Sequence, residues 1–256
     1  MFFVFNKQKI IAYGVTLLTV IFLFVVATKI DGSKKAVETY SENTRLLPVY
    51  QVKTEEKKVA FTMNCAWNAD DIDSILETLK NNDVKITFFV VGSWVDKYPE
   101  AVKKMSEAGH EIANHSDNHE HVNNLSYEEN VLEIENANKK IEDITKASNK
   151  IYRPPYGEYN NTVIKAANDK GYIPIQWSAD TLDYTGITGE EMWNRIENKI
   201  EPGAIILSHN GTKHTADSLD MLIKNIKQKG YEIVPVSELI YKENYKIDIN
   251  GTQIKN

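Results

Sequence analysis

Short β-rich runs alternate with helical stretches along most of this chain, and three of the helices are closed by glycine in the same way. The strings AGHEI, KGYIPI and KGYEIV set Gly109, Gly171 and Gly230 between the end of a helix and the start of a strand. Glycine takes the left-handed conformation that ends a helix at no steric cost, so the links into these strands are very short. Strand, helix, strand with such links implies right-handed crossovers and a parallel sheet. Strands are predicted at 59–63, 84–91, 111–114, 150–153, 173–178, 204–209 and 232–236. Helical spacing fills 71–81, 99–108, 128–144, 162–170, 190–200 and 216–229, with Ile72, Ile75, Leu76 and Leu79 forming an i, i+3, i+4, i+7 stripe. Seven such units predict an α/β fold whose sheet closes, or nearly closes, into a barrel. A doubly wound open sheet is the alternative.

Composition narrows the function. Thirty Lys and Arg against thirty-six Asp and Glu give a net charge of -6 over 256 residues. Nucleic acid, which is gripped by basic surfaces, is therefore not an expected partner. Cys65 is the single cysteine, so an internal disulfide is impossible. Residues 10–27 form an uncharged apolar run preceded by Lys7 and Lys9. Eighteen residues at 1.5 Å each span roughly the ~30 Å hydrocarbon core, and the preceding lysines favour a cytoplasmic N-terminus. Residues 1–30 are thus expected to be a transmembrane anchor, with the chain beyond it outside the cytoplasm. A signal peptide cleaved after Val25-Val26-Ala27 is the rival reading. Residues 31–46 read as a linker, 47–243 as the working domain and 244–256 as a polar tail.

In a parallel barrel the chemistry gathers at the C-terminal ends of the strands. Asn64-Cys65-Ala66-Trp67 follow the first strand and His115-Ser116-Asp117-Asn118-His119 the third. Arg153-Pro154-Pro155-Tyr156, Trp177 to Tyr184, and Leu207-Ser208-His209 follow later ones. His115 and His119, four apart, have spacing that suits a zinc-type ion, although Ser116 excludes the HExxH helix of zinc peptidases. Pro154 holds Arg153 extended, so its guanidinium can grip a carboxylate, with Asp180 the natural partner. Asp183 is read as a cap, and Asp70 and Asp71 as caps or first-turn acids of the next helix. Trp177, Tyr156 and Tyr184 suit a sugar-stacking wall. His110 is read as structural, and His121 and His214 as solvated.

Taken in order, TMNCAW (62–67), HSDNH (115–119), RPPYG (153–157), WSADTLDY (177–184) and ILSH (206–209) resemble the five motifs of the polysaccharide deacetylases, the NodB-homology family. The resemblance covers 47–243. The string LPVYQVKTEEKKVAFT, with AW in the first motif, looks most like the membrane-anchored, sporulation-associated branch. It implies a distorted seven-stranded β/α barrel that removes N-acetyl groups from amino sugars of peptidoglycan, chitin or related polymers with a divalent metal, zinc first. By that resemblance His115 and His119 ligate the metal and Cys65 stands at the third ligand position. Asn64 stands at the position of the base. His209, oriented by a neighbouring carboxylate, protonates the leaving amine, while Arg153 and Asp180 position and tune the base. Leu207 lines the acetyl pocket, and Trp67 joins Tyr156, Trp177 and Tyr184 in contacting substrate. The departure lies in the first motif, where the family pattern TFDDG has two acids and this chain has Asn64 and Cys65. Two expectations follow: a weakened deacetylase of wall glycan, peptidoglycan first, or an inactive relative that binds glycan.

Overall fold

A computed structural model of the protein describes residues 17–19, 21 and 45–256. The first of its two compact units ends at Thr44, and Leu17, Leu18, Thr19 and Ile21 in it are helical. The expected membrane span 10–27 otherwise falls outside the described residues, as does the expected linker 31–46 up to its last two positions. Among the described residues no helix is long and apolar enough to cross a membrane.

The second unit, residues 45–256, alternates strands and helices as expected. Its strands are β1 (Gln51–Val52), β2 (Lys58–Cys65), β3 (Thr87–Val90), β4 (Glu111–Asn114), β5 (Ile151–Tyr152), β6 (Ile173–Pro174), β7 (Ala179–Asp180), β8 (Ile205–His209), β9 (Glu232–Ile233), β10 (Tyr245–Ile247) and β11 (Thr252–Lys255). Its helices are α1 (Ile72–Asn81), α2 (Gly92–Lys97), α3 (Pro99–Glu107), α4 (Tyr127–Thr145), α5 (Asn161–Asp169), α6 (Gly189–Ile196), α7 (Thr215–Gln228) and α8 (Val236–Leu239). Serine and threonine start two of them. Ser126 with Glu129 and Thr188 with Glu191 form capping boxes for α4 and α6, satisfying amides that the first helical turn leaves free.

The main sheet runs β6-β5-β4-β3-β2-β8-β7, every pair parallel, with β9 on the start of β2. It is an open, distorted barrel rather than a closed one: among the described residues β6 and β7 form no ladder. The predicted strand 173–178 breaks because its residues cross this seam. Gln176 N donates to Val49 on one side, and Ser178 N to Ile205 on the other. The segment from Val49 to Val52 fills the gap, bridging Ile175 and Ala204. The polar stretch 244–256 does not trail. Its β10 and β11 form an antiparallel hairpin whose second strand pairs with β1.

Period-two alternation along β2 sorts its side chains onto two faces. Val59, Phe61, Met63 and Cys65 join the cluster built with Ile72, Ile75, Leu79, Val102 and Leu222 of the covering helices. Ala60 joins the inner cluster with Phe89, Ala113, Ile151 and Ile205. Thr62 and Asn64 share the face of Ala60 by parity.

Gly203 fits the seam segment closely. Its φ is +83°, and a Cβ there would lie 1.7 Å from the Val52 carbonyl oxygen. Gly203→Ala is expected to cost at least about 2 kcal/mol through the left-handed penalty and the displaced strand. In a domain of this size that lowers the thermal midpoint by about 4–8 °C, measurable by calorimetry.

His110 lies at the opposite end of the sheet from the functional rim, buried, with its Nδ1 accepting from Ile86 N at 3.2 Å. Burial, helped by Lys85, pushes its pKa down to about 4 from 6.5. The folded state therefore favours the neutral ring. That stability is full above pH 6.5 and is lost as pH falls toward 4. His110→Asn keeps an acceptor and removes the titration. It is expected to flatten the fall in unfolding free energy between pH 7 and 4.5 by about 2 kcal/mol in urea titrations.

Candidate active site

β2 and β8 lie side by side, pairing Asn64 with His209 at their C-terminal ends. Both side chains reach one hollow. His209 is held from behind: its backbone N donates to Asp183 Oδ2 at 2.6 Å, and its Nδ1 to Asp183 Oδ1 at 2.8 Å. A carboxylate only accepts, so a proton sits on Nδ1 and the ring turns its Nε2 edge toward Asn64. Tyr184 N and Thr215 Oγ1 complete four donors to Asp183, which has no exposed surface. Leu182, with φ of +54°, turns the chain so that Asp183 points back at β8.

Arg153 lies wholly buried beneath Asn64. One of its terminal nitrogens donates to Thr62 Oγ1 and to Asn64 Oδ1, each at 2.9 Å, and the other to the Gln176 carbonyl at 3.1 Å. The guanidinium stacks 3.9 Å above the Phe89 ring centre. Because arginine can only donate, Oδ1 of Asn64 must face it and Nδ2 must face His209, whose Nε2 is 3.5 Å away. Burial lowers the Arg153 pKa to about 9, against the opposing pull of Asp180. Its Nε has no hydrogen-bond partner among the described residues. The expected Arg153–Asp180 ion pair does not form, because Asp180 Oδ1 is taken up by Leu182 N at 2.8 Å within its own turn. Asp183, read as a cap, is instead the acid that orients His209.

His115 and His119 come together edge to face, their ring centres 4.9 Å apart. His115 Nδ1 donates to the Arg153 carbonyl at 2.7 Å, which leaves its Nε2 bare. Burial, then the neighbouring His119, pushes the His115 pKa well below the ordinary range, and burial also lowers that of His119. Their loop is strained, with φ of +71° at Ser116 and +57° at His119. Conformations of this kind cost about 1–3 kcal/mol each and persist where the surroundings over-determine them. Here Glu133 of α4 does so, accepting from Ser116 Oγ, Asp117 N, Asn118 N and Asn118 Nδ2 at 2.6–3.0 Å. Burial alone would raise the Glu133 carboxyl, but these hydrogen bonds outweigh it and hold it low. Nothing in the local sequence marks Glu133, since it lies mid-helix beside the buried stripe. Asp71 takes the N-cap position of α1 as expected, but its side chain makes no cap bond and instead accepts from Asn210 Nδ2 and Gly211 N, tying down the loop after His209.

Cys65 does not join the imidazoles. It is wholly buried in the helix-facing cluster, on the other face of β2 from Asn64. Burial, reinforced by Asp71, raises its thiol well above the usual range, the reverse of what a thiolate ligand needs. Among the described residues no three His, Cys, Asp or Glu side chains are arranged to hold a metal. Catalytic zinc takes three protein ligands. Two imidazoles fall one short, so the donor set does not fit the centre the resemblance implies.

The aromatic residues divide. Trp67 and Tyr184, each about half exposed, flank His209 with ring centres at 5.4 and 5.3 Å. Tyr156 stands exposed against His119 and stacks on His121, which also pairs with Glu158 at 2.9 Å. Trp177 instead packs under the hollow, half-buried beside Gly157 and 5.6 Å from the Arg153 guanidinium. Leu207 is buried two positions before His209, on its face of β8.

The site thus sets an Asp183-oriented imidazole against an arginine-held amide, between two half-exposed aromatic rings, at the C-terminal edge of a parallel β/α sheet. The chain is a member of the polysaccharide deacetylase family, whose model matches residues 51–175. It is 35% identical over 193 residues to the uncharacterized protein YlxY of Bacillus subtilis, covering 75% of this chain and 60% of that one. A peptidoglycan-N-acetylglucosamine deacetylase of Bacillus cereus is 31% identical over 196 residues, covering 75% of this chain and 92% of its own. Among solved structures, wild-type BA3943 of Bacillus anthracis, described as a CE4 family pseudoenzyme, superposes with a TM-score of 0.73 at 32% identity. That match covers 82% of this chain and 73% of BA3943. A BA3943 mutant described as having restored enzymatic activity matches at 35% identity and a TM-score of 0.72, covering 75% of this chain and 70% of its own.

Proposed function

We propose that this protein binds N-acetylated amino-sugar glycan of the cell wall, peptidoglycan first, and that its deacetylase chemistry is silenced at Asn64. The observation that carries this reading is the amide at the base position. Asn64 stands at the C-terminal end of β2 beside His209, held by Arg153 on one side and facing His209 on the other. An amide takes no proton from water at neutral pH, so the acid half of an amide-cleaving pair stands without its base half. The flanking rings of Trp67 and Tyr184 offer faces on which pyranose rings stack. The intact Asp183–His209 dyad favours a second reading, a slow deacetylase, because it still supplies an acid for the leaving amine. In this proposal residues 10–27 anchor the chain and 47–243 work outside the cytoplasm.

The test is co-sedimentation of the full chain with N-acetylated peptidoglycan, with acetate measured in the same tubes, with and without added divalent metal. Retention without acetate above background is expected. Sustained acetate release by the native chain would support the slow enzyme instead, and no retention would remove the binding role.

A further inference from the structure

We propose that the cavity at the N-terminal end of the sheet is a second binding site, which takes a short zwitterionic peptide with an aliphatic side chain. It lies at the other end of the strands from the His209 hollow and does not depend on glycan binding.

The cavity holds about 600 Å³, within the roughly 300–1,000 Å³ of small-ligand sites. It opens between the starts of β4, β5 and β6 and the segment that carries α8. That segment is pinned to the sheet. Thr87 Oγ1 accepts from Val236 N at 2.8 Å and donates to Glu111 Oε2 at 2.6 Å, which also accepts from Ser237 N at 3.2 Å. Val236, Leu239 and Ile240 pack into the inner cluster. The wall is thereby set in place before any ligand arrives.

Two polar side chains of the lining have an atom to spare. His110 is 7% exposed, and its Nδ1 accepts from Ile86 N at 3.2 Å. The proton of the neutral ring is therefore on Nε2, a donor with no partner among the described residues. Asn149 Nδ2 donates to the Ile112 carbonyl at 2.9 Å, which leaves its Oδ1 to accept. A donor and an acceptor on neighbouring segments can meet the C=O of one peptide unit and the N–H of another.

Charges of both signs surround these groups. Glu111 Oε1 makes no hydrogen bond among the described residues, so one oxygen of a fixed carboxylate is open to an ammonium. Glu238 adds a carboxylate and Lys242 a cation at the exposed mouth. Lys150 also lines the cavity, but its Nζ donates to Tyr172 OH at 3.1 Å and lies 4.3 Å from that ring's centre. Lys242 is thus the cation left for a ligand carboxylate. Ile112, Ile151 and Ile240, all buried, supply an apolar wall. Among the described residues no Phe, Tyr or Trp lines the cavity, so pyranose faces find no ring to stack on. An aliphatic wall, both charges, and a donor and an acceptor between them match a peptide rather than a sugar.

Calorimetric titration of the full chain with the tripeptide alanyl-leucyl-alanine tests this, beside its N-acetyl and C-amide forms. The free tripeptide is expected to bind with a Kd of about 1 mM or tighter, unchanged by an excess of N-acetylglucosamine tetramer. Removing the ammonium or the carboxylate is expected to weaken binding by about 10-fold each, close to one hydrogen bond between charged groups. Glu111→Gln keeps an acceptor for Ser237 N and removes the charge. It is expected to weaken the free tripeptide by about 10-fold and to leave the N-acetyl form unchanged. Should that variant fail to fold, the exposed Lys242→Gln, expected to weaken the free tripeptide but not the C-amide form, decides instead. No binding of the free tripeptide up to about 10 mM overturns the proposal. Equal affinity for the three forms does so too, as does an affinity that neither substitution changes. Competition by the N-acetylglucosamine tetramer would put the peptide in the His209 hollow and overturn the second site, while the glycan reading stands or falls by co-sedimentation.

Discussion

Asn64→Asp is expected to raise acetate release from N-acetylated wall glycan by at least about 100-fold over the native chain, the lower end of what a placed general base contributes. The substitution changes one atom type and almost no volume. A carboxylate oxygen replacing Oδ1 meets the same Arg153 nitrogen, 2.9 Å away in the native chain. It would also give the buried guanidinium the ion-pair partner it lacks, so the variant carboxylate is held ionised and ready to accept a proton. The other oxygen replaces Nδ2 beside His209, whose Nε2 is backed by Asp183. Base and acid then stand on either side of one acetamide. Acetate assays with and without added divalent metal measure the gain. An unchanged rate in both conditions would mean that the missing carboxylate is not what silences the hollow.

Asp183→Asn is expected to be the most damaging change at the rim. Asp183 is fully buried and accepts from His209 N, His209 Nδ1, Tyr184 N and Thr215 Oγ1. An amide keeps one accepting oxygen and turns its other arm into a donor facing donors. Whichever arm carries the NH2 group, one backbone N–H, that of Tyr184 or that of His209, is left facing a donor. Losing hydrogen bonds to a charged group and stranding a buried donor together cost about 3 kcal/mol. That corresponds to a thermal midpoint lower by about 6–12 °C. In the Asn64→Asp background the same change is expected to abolish the gained activity, because His209 loses the partner that stabilises its protonated form. Thermal melts and acetate assays on the double variant check both. A full gain retained without Asp183 would show that His209 needs no orienting acid.

The two variants probe the two halves of the site, and the halves differ in how readable they are from residues alone. The convergence of His115, His119, Arg153 and His209 on one rim follows from their places after successive parallel strands. A parallel sheet puts all such positions at one edge, whatever the details of packing. The face of Cys65 was also legible, because Val59, Phe61, Met63 and Cys65 alternate with Ala60, Thr62 and Asn64. Its place in the first motif suggested a ligand, and the alternation, which points the other way, governs. By contrast, the choice between Asp180 and Asp183 rested on a left-handed turn at Leu182 that no composition rule signals. Glu133 reaches the histidine loop from a helix whose own pattern shows only a buried stripe. The open seam, filled by residues 49–52, depends on pairing between segments more than a hundred positions apart.

What the amino-acid order determined by itself is the parallel β/α arrangement, the edge on which the polar residues collect, and the neutrality of position 64. These depend on local periodicity, on glycine at helix ends and on residue chemistry. Tertiary structure alone decided which carboxylate serves His209, which glutamate braces the histidine loop, and that two imidazoles stand without a third ligand among the described residues. Those outcomes depend on loop conformation and on contacts between distant segments, where a shift of one ångström separates a hydrogen bond from a miss.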